Sequence, residues 1–236
     1  MTARDYEGTE LDLFADARNW KAYWSKRIAP YVRGRVLDVG AGIGATIDVL
    51  SQHVKAEWTA LEPDAALAQR IARDVEQERL PRSTRVLNGR IQDLPVDAQF
   101  DTILYIDVLE HIEDDAAELE GAARHLAPMG HLVVLAPAHN GLYSPFDRAI
   151  GHFRRYDSRA LRAICPPHLR PISSVYLDSA GLIASLANRL LLKQASPTAA
   201  QIAVWDRLLV PASLVTDRLF FGKVGKSILL VCQRDY

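Results

Sequence analysis

A buried strand that runs directly into a glycine-rich turn most constrains how this chain can fold. The segment reads Val36-Leu-Asp-Val-Gly-Ala-Gly-Ile-Gly44, and a helical pattern begins at its end. Glycine lets the backbone of such a turn approach a ligand closely, because no Cβ atom intervenes. An acidic residue, Glu62, follows near the end of the next predicted strand, where a carboxylate can hold a ribose. The sequence therefore predicts a doubly wound α/β fold that binds a nucleotide-like cofactor.

Strands and helices alternate along the first part of the chain. The strands are apolar on both faces, which is typical of a mostly parallel sheet covered by helices on both sides. The predicted strands are Arg35–Val39, Ala56–Leu61, Arg85–Asn88, Phe100–Ile106, His131–Ala136, Leu169–Leu177 and Ser227–Gln233. The predicted helices are Asp16–Ala29, Gly42–His53, Asp64–Arg79, Glu113–Leu126, Ser158–Ile164, Ser179–Leu192 and Ala203–Phe221, and residues 137–156 are predicted to form a long loop.

The length of 236 residues suits a single domain. We expect residues 1–30 to form an N-terminal helical cap and residues 178–224 to form a helical insert, either a lid or a dimer face. The net charge of −1 argues against a nucleic-acid partner. The chain shows neither a signal peptide nor a membrane-spanning run, so we predict a cytoplasmic protein. Cys165 and Cys232 match no metal or redox spacing and are expected to be packing residues.

Asp38, directly before the glycine turn, favours one class of cofactor. A carboxylate would repel a pyrophosphate, but it would attract a cofactor that carries an ammonium and a sulfonium group, as S-adenosylmethionine does. The chain resembles the class I S-adenosylmethionine-dependent methyltransferases in four segments that keep the order and spacing of that family. The four segments are Val36–Gly44, Leu61–Pro63, Asn88–Pro95 and Phe100–Asp114.

The resemblance implies a sheet with strand order 3-2-1-4-5-7-6, the last strand being antiparallel, and a cofactor site along one edge. Glu62 would accept hydrogen bonds from both ribose hydroxyls, and Asp38 would lie at the amino-acid end of the cofactor. Many members carry an acidic residue where Arg90 stands, so the adenine contact would fall to the Ile91 backbone or to Asp93. The implied cofactor-binding residues are Asp38, Gly40, Ala41, Gly42, Glu62, Pro63, Ile91, Gln92, Ile106 and Asp107. The aromatic residues Trp20 and Tyr23 would either close over the cofactor or pack against the sheet.

Methyl transfer to a hydroxyl needs an acceptor held in line with the methyl group and a base that removes its proton. Histidine suits the base role because its pKa lies near neutrality. The candidates are His139, His152 and His111. For His111, which follows Glu110 at the start of a predicted helix, a supporting structural role is the stronger interpretation.

Residues 137–156 follow a strand end, where doubly wound folds place their ligands. The Gly-His-x-Arg-Arg-Tyr ending of this segment resembles a subfamily of methyltransferases that occur alone or joined to glycosyltransferases. Arg154, Arg155 and Tyr156 either bind an anionic or polyhydroxyl substrate or brace the loop through hydrogen bonds and stacking. The spacing of the acidic and histidine side chains does not require a metal ion, so we predict none.

An apolar stripe marks the second half of the expected insert. Its members repeat at helical spacing, and charged residues of both signs lie between them: Val204, Leu208, Ala212, Val215 and Leu219, with Asp206, Arg207, Asp217 and Arg218. Most stripes of this kind are core faces. The alternatives are a substrate lid, a homodimer face within residues 179–221, or a shallow contact with a membrane surface for a lipid-linked substrate. The mixed sign of the flanking charges disfavours the membrane.

These observations predict a methyltransferase that uses S-adenosylmethionine, releases S-adenosylhomocysteine and methylates an oxygen of a small molecule, such as a sugar or a glycolipid precursor. Two other classes stay open at this point. An NAD(P)-dependent oxidoreductase is disfavoured because no Tyr is followed four residues later by Lys, the pair that short-chain reductases use. A non-catalytic module that binds S-adenosylmethionine would keep the fold without turnover.

Overall fold

The computed structural model describes residues 14–187 and 198–235. The strands are β1 (Arg35–Val39), β2 (Glu57–Glu62), β3 (Arg85–Asn88), β4 (Phe100–Ile106), β5 (Leu126–Pro137), β6 (Leu169–Leu177) and β7 (Ser227–Arg234). The α-helices are α1 (Arg18–Ile28), α2 (Ala45–Ser51), α3 (Ala65–Glu76), α4 (Asp115–Arg124), α5 (Pro145–Ala149), α6 (Ser158–Ala163), α7 (Ser179–Ala187), α8 (Ala199–Val204) and α9 (Val210–Leu219). No helix within the described ranges is both long and apolar enough to cross a bilayer.

The strands form one seven-stranded sheet in the order β3-β2-β1-β4-β5-β7-β6. The pairs among β1 to β5 are parallel, whereas β7 runs antiparallel to both β5 and β6. This arrangement confirms the predicted doubly wound α/β fold and its strand order. Because β7 is reversed, its first residue Ser227 lies beside Pro137 and Leu177, which end β5 and β6. We call the side of the sheet where these ends meet the carboxyl edge.

Alternate residues of each strand enter two separate cores, one on each face of the sheet. Leu37 and Tyr105 belong to one core, and their chain neighbours Val36 and Leu104 belong to the other. Helix α1 contributes its aromatic residues Trp20, Tyr23 and Trp24 to the second core. These rings are buried, so packing is the role that the structure shows for Trp20 and Tyr23.

Strand β5 begins five residues before the predicted start at His131. Leu126, predicted to end the preceding helix, pairs instead with Phe100, after which the register shifts and Thr102 pairs with His131. Met129 within this irregular stretch has a φ of 60°. The intervening residues, which include a proline and a glycine, therefore form a bulge, and a strand tolerates those residues at a bulge.

The structure refines the helices predicted after β5. Within the expected loop, Ser144 caps the short helix α5 by accepting a hydrogen bond from the backbone N–H of Asp147. The helix predicted from Ser179 is described up to its residue 187, and the rest of that prediction lies outside the described residues. The helix predicted over 203–221 begins earlier and contains a π-helical turn at Trp205–Leu209. Pro211 follows that turn, and because proline lacks an N–H it cannot continue the regular hydrogen-bond ladder.

Candidate active site

The glycine turn after β1 is held against the end of β2. The backbone N–H of Gly40 donates to the carbonyl oxygen of Leu61 at 2.8 Å. Gly40, Gly42 and Gly44 have φ values of 64°, 57° and 79°, which side-chain-bearing residues rarely adopt. A Cβ on Gly40 would also lie 2.8 Å from Cγ1 of Val108. The glycines are therefore needed for the turn itself.

Glu62, the last residue of β2, points its carboxylate back at this turn. Its Oε2 accepts from the N–H of Gly42 at 2.8 Å, and its Oε1 accepts from the N–H of Asp64 at 2.9 Å. Burial raises the pKa of Glu62, and the two backbone hydrogen bonds oppose that shift. Each carboxylate oxygen can accept a further hydrogen bond. Glu62 is thus a fixed acceptor next to the turn, as ribose recognition would require.

Asp38, the fourth residue of β1, carries a buried carboxylate with an unused oxygen. The residue is 1% exposed, and its Oδ2 has no hydrogen-bond partner in the structure. Burial, and after it the charge of Glu62, raises the pKa of Asp38 well above its usual range. A buried carboxylate without a partner is costly unless a ligand satisfies it. Two carboxylates at one glycine turn suit a positively charged ligand and would repel a pyrophosphate.

The segment expected at the adenine forms a 3₁₀ turn, Ile91–Asp93. Asp93 Oδ2 accepts from the N–H of Arg90 at 2.8 Å, so this carboxylate holds the turn. The Ile91 side chain is buried in the core, and Gln92 donates through Nε2 to Glu118 Oε2 at 2.8 Å. Gln92 and the backbone of Ile91 stay candidates for the adenine contact.

Asp107, which follows Ile106 at the end of β4, lies at the carboxyl edge with a φ of 53°. Its N–H donates to the carbonyl oxygen of Leu135 at 2.8 Å, which anchors the turn to β5. The residue is exposed, yet the surrounding protein partly desolvates its carboxyl and raises its pKa to about 6, against the nearby charges of His152 and Lys226. Asp107, His152 and Lys226 therefore surround one region of the edge.

Lys226 is a further candidate at this edge, and no sequence motif pointed to it. It immediately precedes β7, and its Nζ lies 4.8 Å from the centre of the Trp205 ring. Burial lowers its pKa, while the charges of Asp178 and Asp107 act to raise it. Only its position in the chain could have indicated this residue. The start of the reversed last strand lies beside the ends of the parallel strands, so a lysine at that start lies at the carboxyl edge.

His152 lies in a hydrogen-bonded group with Asp147 and Arg155. Its Nδ1 is 3.1 Å from Asp147 Oδ1, and Arg155 donates to the same carboxylate through Nε at 2.9 Å and Nη2 at 3.0 Å. Burial alone would raise the pKa of Asp147, but the hydrogen bonds from His152, Arg155 and Ser144 outweigh it and lower the pKa. Asp147 therefore stays ionised and fixes the proton of His152 on Nδ1.

The opposite ring nitrogen of His152, Nε2, lies 3.9 Å from Glu110 Oε1. Burial and the charge of Asp107 raise the pKa of Glu110 well above its usual range. The His111 ring meets the His152 ring edge-on at 4.5 Å between centres, and burial together with His152 lowers the pKa of His111 to about 4. His111 is therefore neutral and supports His152, in agreement with its expected structural role.

His139 follows β5 with a φ of 62° and stacks on the Tyr176 ring at 5.2 Å between centres. Its Nε2 lies 2.9 Å from the carbonyl oxygen of Gly225. A carbonyl only accepts hydrogen bonds, so Nε2 carries the proton and Nδ1 has the electron pair of the neutral ring. His139 is thus a second candidate base at the same edge.

The side chains of Arg154, Arg155 and Tyr156 make contacts within the protein. The hydroxyl of Tyr156 donates to Asp115 Oδ2 at 2.7 Å, and Arg154 pairs with the same carboxylate. Arg155 pairs with Asp147 as described above. The structure therefore shows the bracing role for all three, and substrate binding by them stays a prediction.

Glu110, His111 and His152 have ligand atoms within 4.8 Å of one another, close enough to converge on a cation. The sequence spacing did not reveal this group, because the loop that carries His152 returns to the turn after β4. The N–H of Phe153 donates to the carbonyl oxygen of Glu110 at 2.8 Å and holds the loop there.

The fold and the carboxylate-lined glycine turn fit a doubly wound protein that binds a nucleoside-containing cofactor. A family profile described as a methyltransferase domain matches residues 14–171. The chain belongs to this family, the class I S-adenosylmethionine-dependent methyltransferases.

Among curated proteins, the chain is similar to a demethylmenaquinone methyltransferase of Tropheryma whipplei, with 33% identity over 149 residues, 62% of this chain and 60% of that protein. The match spans about 60% of the relative's length. Among solved structures, the N-methyltransferase NodS from Bradyrhizobium japonicum aligns over 94% of this chain and 97% of its own at 16% identity, with a TM-score of 0.56. A coclaurine N-methyltransferase bound to N-methylheliamine and S-adenosylhomocysteine aligns over 92% of this chain and 72% of its own at 14% identity, with a TM-score of 0.60.

The residues at the carboxyl edge fit S-adenosylmethionine. The unpartnered Oδ2 of Asp38 suits the cofactor's ammonium group, and the anchored carboxylate of Glu62 suits a ribose. The nicotinamide alternative is wrong for this family, in agreement with the repulsion that Asp38 would exert on a pyrophosphate.

Proposed function

We propose that this methyltransferase methylates a hydroxyl oxygen of a small-molecule acceptor, such as a sugar, a glycolipid precursor or another hydroxylated metabolite. The observation that carries the proposal is the pairing of His152 with Asp147 at the carboxyl edge. An amine acceptor can attack through its own electron pair, whereas a hydroxyl needs a base to remove its proton. A histidine oriented by an ionised carboxylate is such a base.

The position of His152 relative to the other site residues supports this role. His152 and Lys226 both lie near enough to Asp107 to lower its pKa. Asp107 follows β4 and lies next to the glycine turn, since a Cβ on Gly40 would lie 2.8 Å from Cγ1 of the adjacent Val108. A hydroxyl bound in this region would therefore lie between the cofactor turn and His152.

The protein's part in the reaction is positioning and proton removal. The bound cofactor supplies a methyl group on a sulfonium, which is already a good leaving group. Asp147 keeps the His152 proton on Nδ1, so Nε2 has the electron pair that accepts the hydroxyl proton. The cofactor, which Asp38 and Glu62 would hold, would supply its methyl group to the acceptor oxygen and leave with a neutral sulfur, and His152 would carry the proton released by the hydroxyl. Glu110, whose raised pKa favours its protonated form, adds no negative charge beside this base.

The test compares acceptors and base variants. Purified protein with radiolabelled S-adenosylmethionine is offered a panel of sugars and phenols and, separately, of amines. We expect transfer to hydroxyl acceptors, and His152→Ala should lower kcat by roughly 10²- to 10⁴-fold with S-adenosylhomocysteine affinity unchanged. His131→Gln is the matched control, because His131 pairs with Gln233 away from the carboxyl edge.

Two outcomes would contradict the proposal. One is a preference for amine acceptors over every hydroxyl acceptor tested. The other is full turnover in both His152→Ala and His139→Ala with cofactor binding intact, which would show that neither histidine is the base. If only His139→Ala loses turnover, the base assignment moves to His139 and oxygen methylation stands.

A further inference from the structure

The apolar stripe of α8 and α9 faces solvent and not the core. Leu208 is 65% exposed and Leu219 is 67% exposed, and Val204 and Val215 are exposed by more than half. Ten of the twelve large apolar residues that are exposed in the described part of the chain lie between Ser179 and Gly225. The stripe is therefore not a core face, and one region holds most of the exposed apolar surface of the described residues.

The acidic residues between the stripe positions face the opposite way. Asp217 accepts from the Tyr23 hydroxyl at 2.6 Å and from the N–H of Ser179 at 2.8 Å. Asp206 accepts from the N–H of Trp20 at 2.9 Å. Both carboxylates are buried. The acidic and basic residues that alternate in the sequence are thus separated in space, because the acidic ones are buried.

The exposed charges of the same region are all basic. Among the described residues from Ser179 to Gly225, the exposed charged side chains are Arg207, Arg218 and Lys223. Phe221 stands between the last two with 82% of its surface exposed and a φ of 52°. A bulky residue is strained in that conformation, and this one gains little internal packing in return. Its location instead places an aromatic ring in solvent beside positive charges.

We infer that this region is a docking surface for an anionic lipid bilayer. The surface consists of Val204, Leu208, Val215, Leu219, Phe220 and Phe221 with the basic residues Arg207, Arg218 and Lys223. Apolar side chains can enter the interface of a bilayer while lysine and arginine pair with lipid phosphates. The inference does not depend on the acceptor proposed above, because vesicle binding requires no turnover.

The charge pattern favours a bilayer over a second copy of this chain. In a two-fold dimer the same surface meets itself, so Arg207, Arg218 and Lys223 would approach their own copies without an acidic residue opposite. An anionic bilayer offers the opposite charge. The surface also belongs to helices that join β6 to β7, whose ends Leu177 and Ser227 lie at the carboxyl edge. Docking would therefore bring the methyl-transfer site near the lipid.

Co-sedimentation of the full chain with vesicles tests the inference. The vesicles contain phosphatidylcholine alone or phosphatidylcholine with phosphatidylglycerol. We expect binding to the anionic vesicles that weakens with added salt. Arg207→Gln/Arg218→Gln/Lys223→Gln should weaken it by roughly a hundredfold, and Leu208→Ser/Leu219→Ser should weaken it by at least about tenfold.

The control variants alter matched residues elsewhere. Val96→Ser removes another highly exposed apolar side chain, and Lys55→Gln/Arg85→Gln/Arg124→Gln removes exposed charges near the strand ends opposite the carboxyl edge. Both should bind like the unaltered protein. The inference is overturned if the protein does not bind anionic vesicles, or if the control variants lose as much binding as the surface variants. It is also overturned if sedimentation velocity shows a dimer that Leu208→Ser/Leu219→Ser dissociates.

Discussion

Two buried aspartates that are equally inaccessible should respond in opposite ways to replacement by asparagine. Asp38 and Asp147 are each 1% exposed. Asp38 has an unpartnered Oδ2, whereas Asp147 accepts two hydrogen bonds from Arg155 and lies against His152. In the absence of cofactor, Asp38→Asn should therefore stabilise the protein and Asp147→Asn should destabilise it.

The expected size of each stability change follows from the hydrogen-bond partners of the aspartate. Leaving a buried polar group unsatisfied costs about 1–3 kcal/mol, and more when the group is charged. Asp38→Asn keeps a polar amide at this position but removes the charge, so it should raise the free energy of unfolding by about 1–3 kcal/mol. Breaking a buried ion pair costs about 3–5 kcal/mol, because the remaining charge loses its partner. Asp147→Asn leaves Arg155 in that state and should lower the free energy of unfolding accordingly.

The two aspartates affect the pH dependence of the free energy of unfolding in opposite directions. The pKa of Asp38 is raised in the folded protein, so the unfolded chain releases this proton first and stability falls as the pH rises above about 4. The gain from Asp38→Asn should thus grow as the pH rises above the ordinary aspartate pKa and disappear in acid. The pKa of Asp147 is lowered, so its stabilisation is present above the ordinary aspartate pKa and is lost as the pH falls through the folded pKa.

Urea unfolding of the cofactor-free protein, followed by circular dichroism near neutral pH and in mild acid, measures both variants. The slope of the transition should stay unchanged, since neither variant alters the surface exposed on unfolding. The reasoning is refuted if Asp38→Asn destabilises the protein as much as Asp147→Asn does, or if its gain grows in acid.

Three further predictions concern stability and thiol chemistry. Tyr23→Phe removes the hydrogen bond to the buried Asp217 and should lower the free energy of unfolding by about 1.5–3 kcal/mol in urea titrations; no change would contradict the contact. The sulfur atoms of Cys165 and Cys232 lie 2.7 Å apart, so mild oxidation should remove both thiols together in a thiol assay. The resulting disulfide should stabilise the protein by up to about 4 kcal/mol. Loss of one thiol alone would contradict their proximity. Phe221→Gly should relieve backbone strain and raise the melting temperature slightly, and a clear fall would show that the ring packs internally.

The cofactor side of the site was predictable because it depends on strand ends. A parallel sheet brings those ends to one edge, so the strand pattern put Asp38 and Glu62 there, and the family resemblance added Asp107. The local sequence also determined the turn, since its three positive φ angles fall on glycines. Their detailed partners, such as the two amides that hold Glu62, required the structure.

The acceptor side was less predictable because its contacts join distant parts of the chain. Tyr156 reaches a carboxylate 41 residues away, and no local pattern shows whether an arginine or tyrosine in a loop meets protein or substrate. Cys165 and Cys232 are 67 residues apart in the chain, so their spacing gave no sign of the contact. The sequence pattern did not indicate Lys226, because its position at the carboxyl edge depends on the reversed direction of β7.

For the apolar stripe, the amphipathic pattern alone does not predict which face of the helix is buried. Helical spacing identifies a face, and an apolar face of a helix is usually internal, which is why a core face stood beside the lid, the dimer face and the membrane contact as an interpretation. Here the buried face contains aspartates whose partners lie in α1, 186 residues away in the case of Trp20 and Asp206. Hydrogen-bonded carboxylates can occupy a core only when such partners exist, and a single helix sequence does not reveal them.

The most direct test of the site is calorimetric titration of the purified protein with S-adenosylhomocysteine, and separately with NAD, using Asp38→Asn and Glu62→Ala as variants. We expect S-adenosylhomocysteine to bind and NAD not to bind. Asp38→Asn should weaken binding by roughly 10- to 100-fold, the value of a lost charge-assisted hydrogen bond, and Glu62→Ala should weaken it similarly. Unchanged affinity in both variants, or binding of NAD in place of S-adenosylhomocysteine, would contradict the assignment of this edge as the cofactor site.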